Sequence, residues 1–212
     1  MAADADGRDH VAITSMRVIR ERVAARIIDA AHTTTEELVD VPARGGAAVA
    51  IVVGDGTDGP QVLLIRRAEH PDDPWSGHMA FPGGRQDPQD ENLLATAIRE
   101  TFEELSLDLR QAGRLLGQLA PLPATARGRP AGMTIVPFVF ELTADAELRY
   151  SDEVAEAVWV PLDPLLHGRL RTTFAVDRGG GDHVELPAHD VDGRIVWGLT
   201  YRMLDSLFTL LR

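Results

Sequence analysis

FPGGRQDPQDENLLATAIRETFEELSLDL, residues 81–109, decides how the rest of the chain is read. The spacing predicts a helix from Leu93 to Leu105. At about 100° per residue, Glu100, Glu103 and Glu104 fall within one arc of roughly 100°. Leu94, Ile98, Phe102 and Leu105 lie on the opposite, apolar side. Three carboxylates on one face repel each other, at a cost of about a few tenths of a kcal/mol per like-charge pair. Arg99, four residues before Glu103, offsets part of it. Two readings stay open at this point: a solvated acidic face with one ion pair, or a hard-cation site. Carboxylate oxygens at this spacing suit Mg²⁺ or Mn²⁺, which bind through a few carboxylates, waters and substrate phosphates. Gly83 and Gly84 permit a close backbone approach that other residues resist, so a carbonyl can point at the same ion.

The composition sets limits around that helix. The chain has 212 residues, 33 acidic and 21 basic side chains, and a formal net charge of −12. Every basic residue is Arg, and there is no Cys. A Walker-type phosphate loop and Schiff-base chemistry both need Lys. Thiol nucleophiles, disulfides, Cys-ligated zinc and Fe–S clusters need Cys. At this acidity a polyanion such as DNA is repelled on average, so no nucleic-acid partner is expected. Residues 83–108 hold seven acidic and two basic side chains, a local balance of −5. A phosphate ligand is repelled from that face unless divalent cations come first. The polar, acidic first ten residues do not form a signal peptide, and no apolar run approaches the roughly 20 residues that span a bilayer. The expected location is the cytoplasm, with no membrane partner.

Outward from the acidic helix, residues 15–31 carry Val18, Ile19, Val23, Ile27 and Ile28 at amphipathic spacing, with Ser15 as a cap. AAVAIVV (47–53) and QVLLI (61–65) read as a β-hairpin joined by a long loop, GDGTDGP. Residues 68–78 read as an ordered loop. Further strands are expected at Leu115–Ala120, Ile135–Leu142 and Ala157–Val160. The stretch from Arg178 to Asp192 reads as a loop, with Gly179–Gly181 as a flexible crossing. A last helix runs from about Leu199 to Leu211, with Leu204, Phe208 and Leu211 on one face. The expected class is α+β, an α/β/α sandwich with helices on a mixed sheet. Residues 1–46 form an N-terminal helical extension and 47–212 the main domain.

The segment resembles the Nudix box, a Gly, a spaced acidic residue and Arg-Glu-x-x-Glu-Glu, here Gly84, Asp90, Arg99, Glu100, Glu103 and Glu104. Asp90 stands for the usual Glu, Ser106 replaces the usual Gly, and the span from Gly84 to Arg99 is one residue longer than standard. That extra residue recurs in the coenzyme A pyrophosphatase subfamily. The same subfamily's upstream signature is similar to Leu63, Leu64, Arg67 and Ala68 followed by Gly77, Phe81, Pro82, Gly83 and Gly84. VWGLTYRML (196–204) looks like its Trp-Gly-x-Thr segment. The subfamily's Thr is Ile65 here, and its second Arg is missing from a loop holding Asp72, Asp73 and Pro74.

The resemblance implies the Nudix fold and hydrolysis of a nucleoside diphosphate linked to another moiety. Coenzyme A or its acyl derivatives are the first choice; ADP-ribose, a dinucleotide or a nucleoside triphosphate is the alternative. It further implies Glu103 and Glu104 as main metal ligands, assisted by Glu100 and the Gly84 carbonyl, with Arg99 orienting the glutamates. Arg67, Phe81 and Gly83 are the expected substrate contacts. A general base comes from the box or from Glu153 on a later loop, with Glu156 as competitor. Trp75 and His78 are expected to serve loop packing. A homodimer is among the assemblies such proteins form. Isopentenyl diphosphate isomerases share the fold but use a Cys, and a non-hydrolytic sensor usually lacks box glutamates that are all present here.

Overall fold

The computed structural model describes residues 15–27, 46–71, 75–126, 129–177 and 183–212. In chain order the elements begin with α1 (Met16–Ile27), β1 (Gly46–Gly56), β2 (Gly59–Arg67), β3 (Met79–Ala80) and β4 (Gly83–Arg85). Next come α2 (Leu93–Leu105), α3 (Leu109–Ala112), β5 (Gly113–Gln118), β6 (Leu122–Ala126) and β7 (Arg129–Leu142). The chain continues through β8 (Val154–Pro161), α4 (Leu162–Leu166), β9 (Arg171–Asp177), β10 (His183–Val191), β11 (Arg194–Trp197) and α5 (Gly198–Leu211).

The central sheet has eight strands in the order β3-β2-β1-β7-β5, with β4 also on β1, β6 on β7 and β8 on β2. β1 and β7 run parallel, and the remaining pairs are antiparallel, so the sheet is mixed. Alternate strand residues feed two cores. Ile51, Val53, Val62, Leu64, Ile135 and Val139 pack with Leu204, Leu207, Phe208 and Leu211 of α5. Ala48, Ala50, Val52, Leu63, Ile65, Val136 and Phe138 pack with Leu93, Ala97 and Leu105 of α2. Helices cover both faces, which is why AAVAIVV carries no polar alternation. The architecture is the expected α+β sandwich.

α1 belongs to the α5 side of this core. Met16, Ile19 and Val23 are buried there, Arg22 donates to the Leu211 carbonyl, and Arg20 clamps Glu141 of β7 at 2.6 and 3.1 Å. Among the described residues no helix is long and apolar enough to cross a membrane.

The structure departs from the sequence reading in four places. The hairpin connection is short, because β1 runs to Gly56 and pairs it with Gly59, leaving only Thr57 and Asp58 between the strands. Most of the expected loop from Arg178 to Asp192 is strand: residues 183–191 form the middle of a second, three-stranded sheet, β11-β10-β9. Asp192 and Gly193 close its hairpin with φ of 52° and 82°, the positive values a two-residue type I′ turn requires. Both β9 and most of β10 alternate between exposed and half-buried, so their polar residues gave no buried-strand signal. β6 and the first half of β7 were also not anticipated. Gly179–Gly181, and the part of the first helix beyond Ile27, lie outside the described residues.

The fourth departure concerns the acidic helix itself. Phe102, on its apolar side, is 54% exposed, whereas Glu104 is 3% exposed. α2 buries Leu93, Thr96, Ala97, Thr101, Glu104 and Leu105. On the same wheel these centre close to Ala97 and Glu104, so the buried arc overlaps the carboxylate arc instead of opposing it.

Candidate active site

The overlap follows from what α2 packs against. Its N-terminus is fixed by Asn92, whose side chain accepts the Ala95 N–H at 2.9 Å. From there the helix lies over β1 and over β4, whose first two residues are the glycines. Gly83 has φ +150°, and a Cβ there would stand 2.2 Å from the Ala48 carbonyl oxygen, so the position excludes other residues. At Gly84 a Cβ would meet the Glu100 carboxylate at 2.4–2.5 Å. The absent side chains make the space into which Glu100 and Glu104 point.

Glu104 Oε2 accepts the Gly83 N–H at 2.9 Å, and Arg67 Nη1 lies 3.8 Å from Oε1. Burial nonetheless pushes the Glu104 carboxyl up to about 8, with Gly83 and Arg67 opposing the shift and Glu100 and Glu153 adding to it. Burial raises Glu100 as well, against the pull of Arg99. In both carboxylates burial outweighs the nearby positive charge.

Arg99 organises the rest. Its Nε and Nη2 hold both oxygens of Asp90 at 2.9 Å. Nη1 reaches Glu103 and Nη2 reaches Glu100, each at 2.9 Å, and Nη2 also donates to the Arg85 carbonyl at 3.0 Å. Hydrogen bonding from Arg99 brings the Asp90 carboxyl down to about 2. Asp90 also accepts from the buried Thr96 hydroxyl and the Asp87 N–H. The shorter acidic residue therefore serves the longer box: Asp90 reaches Arg99 with both oxygens. Thr96 was missed in the sequence; its signal was a hydroxyl inside an otherwise apolar helix stripe.

Glu153 is brought to this group by backbone contacts. Arg149 N–H donates to Leu105 and Ser151 N–H to Glu104, both at 3.0 Å, and Ala68 N–H donates to the Glu153 carbonyl at 2.8 Å. The side chain is exposed, and its charge acts on Glu100 and Glu104. Glu156 goes elsewhere. Val158 and Val160, of the same strand parity, pack on the α5 side, and Glu156 is held by Arg66 at 2.8 Å and Arg194 at 2.9 Å.

The structure thus brings together Arg67, Gly83, Gly84, Arg99, Glu100, Glu103, Glu104 and Glu153. Phe81 is not among them: it is 3% exposed in the α5-side core, and anchors the strand leading to the glycines. His78 packs edge-on against Trp197 at 4.9 Å, and its N–H donates to the Trp75 carbonyl, as loop packing requires. Among the described residues no three His, Asp or Glu side chains already converge as a cation cage; Glu100 and Glu103 are turned onto Arg99. The three carboxylates, two of them made costly by burial, are oxygen donors of the kind a hard divalent ion takes.

Residues 44–177 match the NUDIX domain, and the chain belongs to the Nudix hydrolase family. An uncharacterised protein of Schizosaccharomyces pombe is 39% identical over 124 residues, 57% of this chain and 38% of that protein. The uncharacterised Nudix hydrolase NudL of Yersinia enterocolitica is 34% identical over 150 residues, 70% of this chain and 72% of that protein. The match to the first relative therefore spans well under half of its length. A bifunctional NMN adenylyltransferase/ADP-ribose pyrophosphatase from Francisella tularensis, solved with AMP and a manganese ion, aligns with a TM-score of 0.51 at 15% identity. That alignment covers 89% of this chain and 47% of the other, and concerns the fold alone. Nudix hydrolases generally use divalent metal ions.

Proposed function

We propose that the chain is a metal-dependent pyrophosphohydrolase that cleaves the diphosphate of coenzyme A or an acyl-CoA. The products are 3′,5′-ADP and 4′-phosphopantetheine or its acyl form. One observation carries the reading: Arg67 and Gly83, both from the coenzyme A signature, reach Glu104 of the box. These two residues of the upstream signature lie beside the box, which supports reading them with it.

Glu103 and Glu104, assisted by Glu100 and the Gly84 carbonyl, would hold Mg²⁺ or Mn²⁺. Such an ion, when bound, neutralises the diphosphate and lowers the pKa of a bound water. The chain's own residues do the rest. Arg99 keeps Glu100 and Glu103 in register with Asp90. Arg67 supplies positive charge where the phosphates arrive, and the Gly83 N–H holds Glu104 in place. Glu153, exposed to solvent beside the buried pair, takes the proton from the attacking water.

Turnover of coenzyme A, ADP-ribose, a dinucleoside polyphosphate and a nucleoside triphosphate, each with Mg²⁺ and Mn²⁺, tests the assignment. Coenzyme A or an acyl-CoA should give the highest kcat/KM; a large preference for ADP-ribose would overturn the substrate. Glu103→Gln should abolish turnover with the fold intact, and full activity in that variant would refute the ligand assignment.

A further inference from the structure

A second feature lies on the sheet face turned away from the carboxylates. Arg66, His78, Glu156, Phe174, Arg194 and Trp197 line a cavity of about 400 Å³ between the central sheet and the three-stranded sheet. That volume falls within the range of small-molecule sites. One wall is aromatic: the Trp197 ring has Phe174 at 4.7 Å, tilted by 35°, and His78 edge-on at 4.9 Å. The other is a charge triad. Glu156 holds Arg66 Nε at 2.8 Å and Arg194 Nε and Nη2 at 3.1 and 2.9 Å. The Arg194 guanidinium plane is fixed by two bonds and Arg66 is tethered through Nε, while the η nitrogens of Arg66 and Nη1 of Arg194 make no hydrogen bond to the described residues. With Asp192 also on the wall, the two arginines are balanced by two carboxylates.

A formally neutral cavity does not select phosphate. It selects a planar, uncharged ring that stacks on indole and guanidinium and exchanges hydrogen bonds at its edge. We infer that this cavity is a second binding site, specific for a nucleobase of purine size and distinct from the carboxylate site. Arg66 and Arg67 are adjacent on β2 and serve opposite faces, so the base belongs either to the substrate, passing round the strand end, or to a separate nucleotide.

Calorimetric titration of the full chain with adenosine and with AMP, in EDTA, tests the site without metal or turnover. Failure here is thus distinguishable from failure of the hydrolase reading. Adenosine and AMP should bind with similar affinity, one per chain. Trp197→Leu should weaken both by about tenfold or more, and Glu103→Gln should leave both unchanged. Arg66→Met, which keeps the side-chain stem, should weaken them several-fold and guards against misfolding of the Trp197 variant. Steady-state kinetics then assigns the source: a raised KM at constant kcat with competition by AMP means the substrate's own base, and non-competing AMP means a separate nucleotide. No binding at millimolar adenosine, binding indifferent to both cavity variants, or binding lost in Glu103→Gln overturns the inference.

Discussion

Glu104 occupies the middle of a helix's buried arc, where ionisable side chains are rare, and only the Gly83 N–H and a more distant Arg67 offset its burial. With its carboxyl at about 8 against an ordinary 4.5, the folded chain keeps a proton that the unfolded chain has released between those pH values. Stability of the metal-free protein is therefore lost as pH rises through that window. In EDTA at pH 8, Glu104→Gln should melt above the wild type, by about 2–4 °C per kcal/mol recovered, with the gap narrowing towards pH 5. Equal melting at pH 8 would count against the burial argument. Gly84 is constrained by contact, since a Cβ there overlaps the Glu100 carboxylate. Gly84→Ala should lower kcat by about 10²-fold with little change in circular dichroism; activity within twofold of wild type would separate Gly84 from the site. Ser106 ends α2 in the left-handed region at φ 55°, a conformation that glycine adopts without strain. Ser106→Gly should stabilise by about 1 kcal/mol, read as a higher urea midpoint at unchanged slope.

At the scale of elements, the acidic helix shows both what was legible in the sequence and what was not. Its span and its carboxylate arc are angular facts of the sequence. Which arc is buried depends on β4, and only the two glycines hinted that the charged side would face inward. Glu153 was legible as a candidate by resemblance. Its delivery to Glu104 depends on backbone hydrogen bonds from Arg149 and Ser151, which no side-chain pattern encodes. The three-stranded sheet escaped because its strands face solvent on much of both sides, so the hydrophobic alternation is weak; the Asp192–Gly193 pair was its one sharp signal. α1 was legible as a helix, but its docking was not. Glu141 is 6% exposed, and Arg20 and Arg114 approach it at 2.6 and 3.3 Å. Because both arginines are substantially exposed, screening discounts the pair. Arg20→Met should lower the midpoint of chemical denaturation, and no loss would mean that apolar contacts alone hold α1.

For the whole molecule, the net charge of −12 is not idle background, since residues 83–108, with a balance of −5, are where cation binding is proposed. Divalent ions should raise the melting temperature with concentration, as any ligand of the folded state does; a melt indifferent to Mg²⁺ and Mn²⁺ would oppose a site on α2. A second titration acts from the acid side. His189 is 2% exposed, stacked on Tyr201 at 4.9 Å, and burial holds it below the ordinary 6.5. Below that pH the unfolded chain takes up a proton that folded His189 resists, so stability is lost as pH falls. His189→Phe should flatten the acid limb of the stability curve, while Glu104→Gln flattens the alkaline one. The two cores also differ in their chain origins. Among the described residues the α2-side core draws on residues between Ala48 and Trp159, whereas the α5-side core joins Met16, Ile19 and Val23 to Met203–Leu211. During synthesis from the N-terminus, the carboxylate half has all its parts before the last helix leaves the ribosome. The half containing α1 is completed only when α5 follows, although α1 already meets Glu141 of β7 before then.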